Sequence, residues 1–476
     1  LVLGSAGSGK TTVALHRLSR IAAAEPRQYP LSRMKLIVPE PGLARLSTRL
    51  LEPLGASAAQ VRTLDHWALE LARQVFGDQL PKRCVEPPAL VSSLKRHPAL
   101  YRALLGRFEG LKPAGATLRR LRRKLAVLFT DRPFLEAIVA DSGGALTRPA
   151  VEETVRHTML QLAEPLEKEL KTIVVPEMKK GIDGRPIWEG TPDELAGTID
   201  VEDLAILLFL RALGAGIDAA PIAHLTLDEA EDFSLFELFV LGKLLGETRS
   251  VTLAGDEAQQ TSSSFAGWPA ALSTLGVGAS EVETCRLATS YRCPEPVVTL
   301  ARRLLGALAP EAPARAARDG APVGRFHFPE EGQANLFLLG AVRDLAEREP
   351  LASIALIAHS ADGARQLHAL AAETCSARLV LDGQFSFEPG IDVTDLDNAK
   401  GLEFDYVIVP DASAGAYPGT DEARRRLHVA VTRTSHQLWI VSSGRPSPLL
   451  LDDAAPRGPE EAGLERQAVR SPCLTA

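Results

Sequence analysis

The sequence predicts an α/β protein made of two lobes, each on a parallel sheet, with a helical insertion in the first lobe. Three observations predict it. A glycine-rich turn, Gly4 to Thr11, lies between an apolar strand pattern and an amphipathic helix. Short apolar runs ending in acidic residues recur along the chain with helical patterns between them, the texture of strands buried on both faces. Between residues 85 and 196 that texture gives way to long, charged helical patterns.

The elements follow in order. Residues 1–4, LVLG, read as a strand, and the helix after it places Val13, Ala14, Leu18, Ile21 and Ala22 on one face. Lys35 to Glu40 is a second strand, and the run around Val61 passes from a strand end into a helix. In the insertion, Leu118, Leu121, Leu125 and Leu128 form an apolar stripe. Around it the run Lys95 to Lys124 carries Lys95, Arg96, Arg102, Arg107, Lys112, Arg119, Arg120, Arg122, Arg123 and Lys124 against one acid, Glu109. Two readings of this run stay open: a grip on a polyanionic partner, or a solvated face paired with the acidic helices at 151–171. Pro165 is expected to divide those helices. Strands return in HLTLDE and VTLAGD, and again near residues 352–360, 391–396, 405–411 and 436–444. The Pro/Ala-rich stretch 306–324 reads as a surface connection. The expected divisions are 1–84 with 197–285 for the first lobe, 85–196 for the insertion, 286–443 for the second lobe, and a weakly ordered tail at 444–476.

With 476 residues the chain has room for two to four domains. No uninterrupted apolar run is long enough to span a bilayer. A net charge of −7 gives no global attraction to nucleic acid, so a polyanion site must be local. The chain starts at Leu1 inside a strand pattern, which reads as a truncated N-terminus. Five cysteines, Cys84, Cys285, Cys293, Cys375 and Cys473, are odd in number and far apart, fitting a reducing compartment such as the cytoplasm. His16, His66 and His224 lack zinc-ligand spacing and read as structural.

Gly4-Ser5-Ala6-Gly7-Ser8-Gly9-Lys10-Thr11 satisfies the phosphate-loop pattern in its required context, and Thr12 continues it into the helix. Glycines let successive N–H groups turn toward phosphate oxygens, and the helix N-terminus adds a favourable dipole. Lys10 supplies charge to the β- and γ-phosphates and Thr11 a hydroxyl for Mg²⁺. Asp228, at a strand end, is the expected metal-side carboxylate, and Glu229 the group that polarises attacking water. Gln259 can sense a γ-phosphate through its amide. Arg292 and Arg433 carry the rigid fork suited to phosphoryl charge.

In their order the segments GSAGSGKT, VRTLDHW, LDEAED, GDEAQQ, SYRCP, AKGLEFDYVIVP and LHVAVTRT resemble superfamily 1 helicases of the UvrD/Rep/PcrA type, closest to HelD-like (helicase IV-like) ATPases. The resemblance implies two RecA-like domains closing on ATP and Mg²⁺, with Arg292 and Arg433 reaching the γ-phosphate from the second. It implies that Tyr291 stacks on adenine, that Glu403 contacts the ribose or the phosphate-loop surroundings, and that Lys400 and Gly401 form a coupling segment. Thr63 falls in a segment that approaches nucleic-acid backbone, and Phe265 or Trp268 would stack a base, whereas Trp67 and Trp188 read as core or interface residues. The implied activity is a 3′-to-5′ DNA helicase or single-strand DNA translocase, monomeric, cytoplasmic and off the membrane. The alternative is a HelD-like ATPase that binds and remodels RNA polymerase. The sequence departs from the family at Glu231, where glutamine is usual, at Asp397 for histidine and at His428 for tyrosine. It also lacks the accessory domain expected between Ala358 and Val393.

Overall fold

A computed structural model describes residues 1–162, 195–310, 314–372 and 374–451. Pro165, Trp188 and Cys473 lie outside them, as do residues 163–171 of the expected acidic helices and most of the expected tail.

The strands, in chain order, are β1 Val2–Gly4, β2 Met34–Val38, β3 Gln60–Thr63, β4 Cys84–Val85, β5 Ile199–Asp200, β6 His224–Leu227, β7 Val251–Gly255, β8 Cys285–Leu287, β9 Thr289–Ser290, β10 Arg315–Ala316, β11 Gly324–Phe328, β12 Ser353–Ala358, β13 Ala377–Val380, β14 Gly390–Asp395, β15 Phe404–Val409 and β16 Thr434–Ser443. Twelve of them form two six-stranded sheets, ordered β3-β2-β6-β7-β1-β8 and β11-β16-β15-β12-β14-β13. Every pairing in both sheets is parallel. Flanking helices cover the faces, which is why the central strand β6 is buried along its whole length and β12 and β15 at all but one residue.

In parallel sheets, ligands gather at the carboxyl ends of strands. The glycine-rich turn leaves the end of β1, Asp228 follows β6 and Asp256 follows β7, all on one rim of the first sheet. The helix Lys10–Ala24 buries Ala14, Leu15, Leu18 and Ala22. Val13, expected on that face, is 37% exposed and Leu15 is buried instead, because the buried stripe is turned by a small fraction of a turn that keeps Ala14, Leu18 and Ala22 inside.

The helices between β4 and β5 do not have a core to themselves. Leu94, Leu104, Leu121, Leu128 and Val155 belong to the same apolar cluster as Ile37, Leu227 and Leu253 of the first sheet. The leucine stripe expected from the sequence is buried throughout.

The basic run divides between interior and surface. Lys95 is buried between Asp200 (2.6 Å) and Asp203 (2.7 Å), and Arg96 bonds Glu237 at 3.1 Å. Arg102 pairs with Asp141, Arg122 donates to the Thr198 carbonyl, and Lys124 lies over the Phe108 ring. Lys95 and Arg96 are therefore spent on acids that lie far away in sequence, whereas Arg102, Arg107, Lys112, Arg119, Arg120 and Arg123 stay exposed.

The Pro/Ala-rich stretch is also more than a connection. Its Arg315–Ala316 forms β10, paired in parallel with β9. Beyond β16, residues 444–451 dock: Ser447 Oγ donates to the Tyr417 carbonyl at 2.6 Å, and Leu449 is buried. No helix among the described residues is long and apolar enough to cross a membrane.

Candidate functional site

The glycine-rich turn folds as a cradle. Gly7 and Gly9 take φ of 70° and 89°, values that L side chains rarely adopt. At Gly7 a methyl group would also sit 2.4 Å from Arg292 Cβ, whereas beside Gly9 the space is open. Lys10, 7% exposed, makes one long bond, Nζ to the Ser5 carbonyl at 3.3 Å. The buried hydroxyls of Ser5 and Ser8 have no hydrogen-bond partner among the described residues. A cation and two hydroxyls left short of acceptors in one concavity suit a bound polyanion.

Thr11 Oγ1 donates to Asp228 Oδ2 at 2.6 Å, joining the helix start to the end of β6. Asp228 is fully buried, and burial together with Glu229 raises its carboxyl above the ordinary range. Burial pushes on Glu229 too, yet Lys10 holds that carboxyl low. Glu229 also sits in the left-handed region at φ 48°, a cost that aims its side chain into the site. Glu231 is buried and accepts from the Asp256 N–H at 3.0 Å, so the unusual residue of this segment ties β6 to β7. Among the described residues no group of three or more His, Cys, Asp or Glu forms a metal cage. Thr11 and Asp228 fit a Mg²⁺ that keeps most of its shell as water and nucleotide oxygens.

The second sheet closes the cleft. Arg433 is 1% exposed, with Nε on the Val429 carbonyl at 3.0 Å and a terminal nitrogen on Gln259 Oε1. Burial and the neighbouring Arg292 guanidinium lower Arg433 to about 10, the mark of two cations gathered without enough anion. Gln259 in turn donates to Asp256 at 2.8 Å. Arg292 Nε meets Glu403 at 2.8 Å, and the Tyr291 N–H donates to the Gly7 carbonyl at 2.8 Å. Tyr291 itself is 67% exposed beside the cradle. Lys400 reaches across to Asp232 (2.6 Å) and the Gln259 carbonyl (2.9 Å), while Gly401 rests against Leu43 and Leu402 against Gly42.

The structure thus gathers Lys10, Thr11, Asp228, Glu229, Gln259, Arg292, Glu403 and Arg433 around one cleft. It does not gather every residue named from the sequence. Trp268 is a core residue, 8% exposed, and Phe265 packs edge-on to it at 4.7 Å, so Trp268 offers no open face for a base. Thr63 caps the helix Leu64–Phe76 by accepting from the His66 N–H. Asp397 pairs with Arg426 at 3.3 Å, and His428 is buried against the Ala301 carbonyl. Sequence reasoning missed Asp232 as the partner of Lys400. The one signal was that both are charged residues within motif-bearing segments.

Comparison with known proteins bears on the second sheet. Residues 390–441 match the family described as the UvrD-like helicase C-terminal domain. That match links the chain to the superfamily 1 helicases. It spans β14 to most of β16 and contains Asp397, Lys400, Gly401, Glu403 and Arg433. Among solved structures, the C-terminal domain of a possible DNA helicase from Lactobacillus plantarum WCFS1 is similar at 25% identity, over 34% of this chain and 93% of that one, with a TM-score of 0.29. No curated protein matches the chain.

Proposed function

We propose that this chain is an ATP-driven motor of the superfamily 1 helicase type, with two RecA-like lobes that hydrolyse ATP in the cleft and move 3′ to 5′ along single-stranded DNA. The observation that carries the reading is the convergence of Arg433 and Arg292 on the cradle of Lys10, whose buried Ser5 and Ser8 hydroxyls are left unfilled. Backbone N–H groups of residues 5–11 and Lys10 bind the phosphates, and Tyr291 offers its face to the base. Thr11 and Asp228 would hold Mg²⁺, which when bound would supply Lewis-acid neutralisation of the phosphate oxygens. Glu229, held ionised by Lys10, orients and deprotonates the attacking water. Arg433 exchanges Gln259 for the γ-phosphate, so closure of the lobes follows nucleotide state. Lys400, anchored on Asp232 and the Gln259 carbonyl, carries that change to the second lobe.

A second reading, an ATPase that remodels RNA polymerase, is favoured by a specific observation. Three cations of the insertion's basic run, Lys95, Arg96 and Arg102, are paired with acids of this chain, which weakens the clearest electrostatic grip on DNA. ATP turnover at low salt with and without single-stranded DNA separates the two. The motor reading expects stimulation that weakens with salt. Turnover indifferent to DNA, with polymerase recovered from nuclease-treated lysate, would replace it by the second.

A further inference from the structure

The stretch 315–318 runs as a splint along the loop that carries Tyr291 and Arg292. The Arg315 N–H donates to the Ala288 carbonyl (2.9 Å) and the Ala317 N–H to the Ser290 carbonyl (2.9 Å). The Glu295 N–H then donates back to the Arg318 carbonyl at 3.1 Å, supporting the start of the helix Glu295–Leu305. On its other side the loop is pinned to the cradle, by Ser290 Oγ on the Ala6 carbonyl (2.9 Å) and by the Tyr291 N–H on the Gly7 carbonyl.

The Arg318 side chain adds a bond that no main-chain ladder could supply. One terminal nitrogen donates to two carbonyls, that of Arg292 and that of Ser435, which lies two residues beyond Arg433. These carbonyls belong to segments more than a hundred residues apart in sequence, each bearing one of the two guanidinium groups of the cleft. We propose that Arg318 is a positioning residue that fixes the Arg292 loop against the Arg433 turn, so that both arginines address the same phosphoryl group. Arg318 acts on backbone carbonyls, and a planar fork with paired N–H groups suits that task. Its removal leaves the cradle, Thr11 and Asp228 in place, so nucleotide still binds while the register of the two arginines loosens.

The turnover part of this inference rests on the ATPase reading above, and the test separates the two. Wild type, Lys10→Ala, Arg318→Ala, Arg318→Lys and Arg315→Ala are compared for ATP turnover and for amide hydrogen exchange. Arg318→Ala is expected to lower kcat by about tenfold or more with KM within about twofold, since small misplacements of transition-state groups cost rate rather than binding. Arg318→Lys recovers much of the loss, because its ammonium N–H groups can still serve both carbonyls. Arg315→Ala, whose exposed side chain takes no part in the splint, stays at the wild-type rate. Exchange at residues 291–293 and 434–436 rises together in Arg318→Ala alone. If Lys10→Ala is inactive but Arg318→Ala matches wild type in kcat, the positioning role is overturned and the ATPase reading stands. If Lys10→Ala turns over like wild type, the ATPase reading falls, and the exchange data alone decide the splint. Unchanged exchange at both segments overturns it.

Discussion

Lys95 and Lys10 are both buried, 1% and 7% exposed, and they differ in what surrounds the charge. Lys95 has two carboxylates within 2.7 Å and lies 4.9 Å from the centre of the Phe129 ring. Its partner Asp200 is further held by His157 at 2.9 Å and Gln161 at 2.6 Å. Lys10 has a single 3.3 Å bond to a carbonyl and unpartnered hydroxyls close by. Burying an ammonium ion costs several kcal/mol unless it is paired. A buried cation whose partners are complete is therefore part of the framework, and one whose partners are missing is waiting for a ligand. Lys400 stands between them, saturated by groups of the opposite lobe.

The contrast can be broken at either end. Lys95→Met has the largest expected effect, a loss of about 3–5 kcal/mol of stability, because Asp200 and Asp203 stay buried without their cation. Chemical denaturation measures it, and ATP turnover per folded molecule should be near that of wild type. Lys10→Ala should do the reverse. Turnover falls by about 100-fold, roughly 2.7 kcal/mol of transition-state stabilisation, while the denaturation midpoint barely moves. If Lys10→Ala unfolded the protein and Lys95→Met silenced turnover, the distinction would be lost.

A smaller effect sharpens the framework side. Glu202 accepts from Ser92 beside the Lys95 cluster, and burial lifts its carboxyl to about 7. Its folded value lies above its unfolded one, so its contribution is complete below about pH 4.5 and is lost as pH rises through 7. Glu202→Gln should remove that loss and make the protein about 1–2 kcal/mol more stable at pH 8 relative to pH 5 than wild type is. Melting curves across this range would show parallel slopes for the two proteins if the assignment were mistaken.

What the sequence made legible follows from how locally each feature is encoded. The cradle is contiguous: strand, glycines, lysine and helix lie within residues 1–24, and their chemistry follows from their order. The strands before Asp228 and Asp256 were equally plain, since a doubly covered parallel strand announces itself as an apolar run. Lys95 and Arg96 could not be told from the exposed rest of the basic run because the acids that pair with them, Asp200, Asp203 and Glu237, lie on other elements more than a hundred residues away. The Pro/Ala-rich stretch misled for a related reason. A ladder of two residues and a side chain bonded to backbone carbonyls leave no periodic signature. Trp268 could not be told from a base platform because exposure depends on what packs over it, here Phe265 and the first-sheet core.

The central claim is that ATP is held at a seam, bound by one lobe and activated by the other. Single-turnover hydrolysis by Arg433→Ala, with nucleotide affinity measured in parallel, tests it most directly. The account predicts ATP affinity within about threefold of wild type and a chemical step slowed by about 100-fold or more, because Arg433 acts on charge that develops in the transition state. A chemical step at the wild-type rate would contradict it.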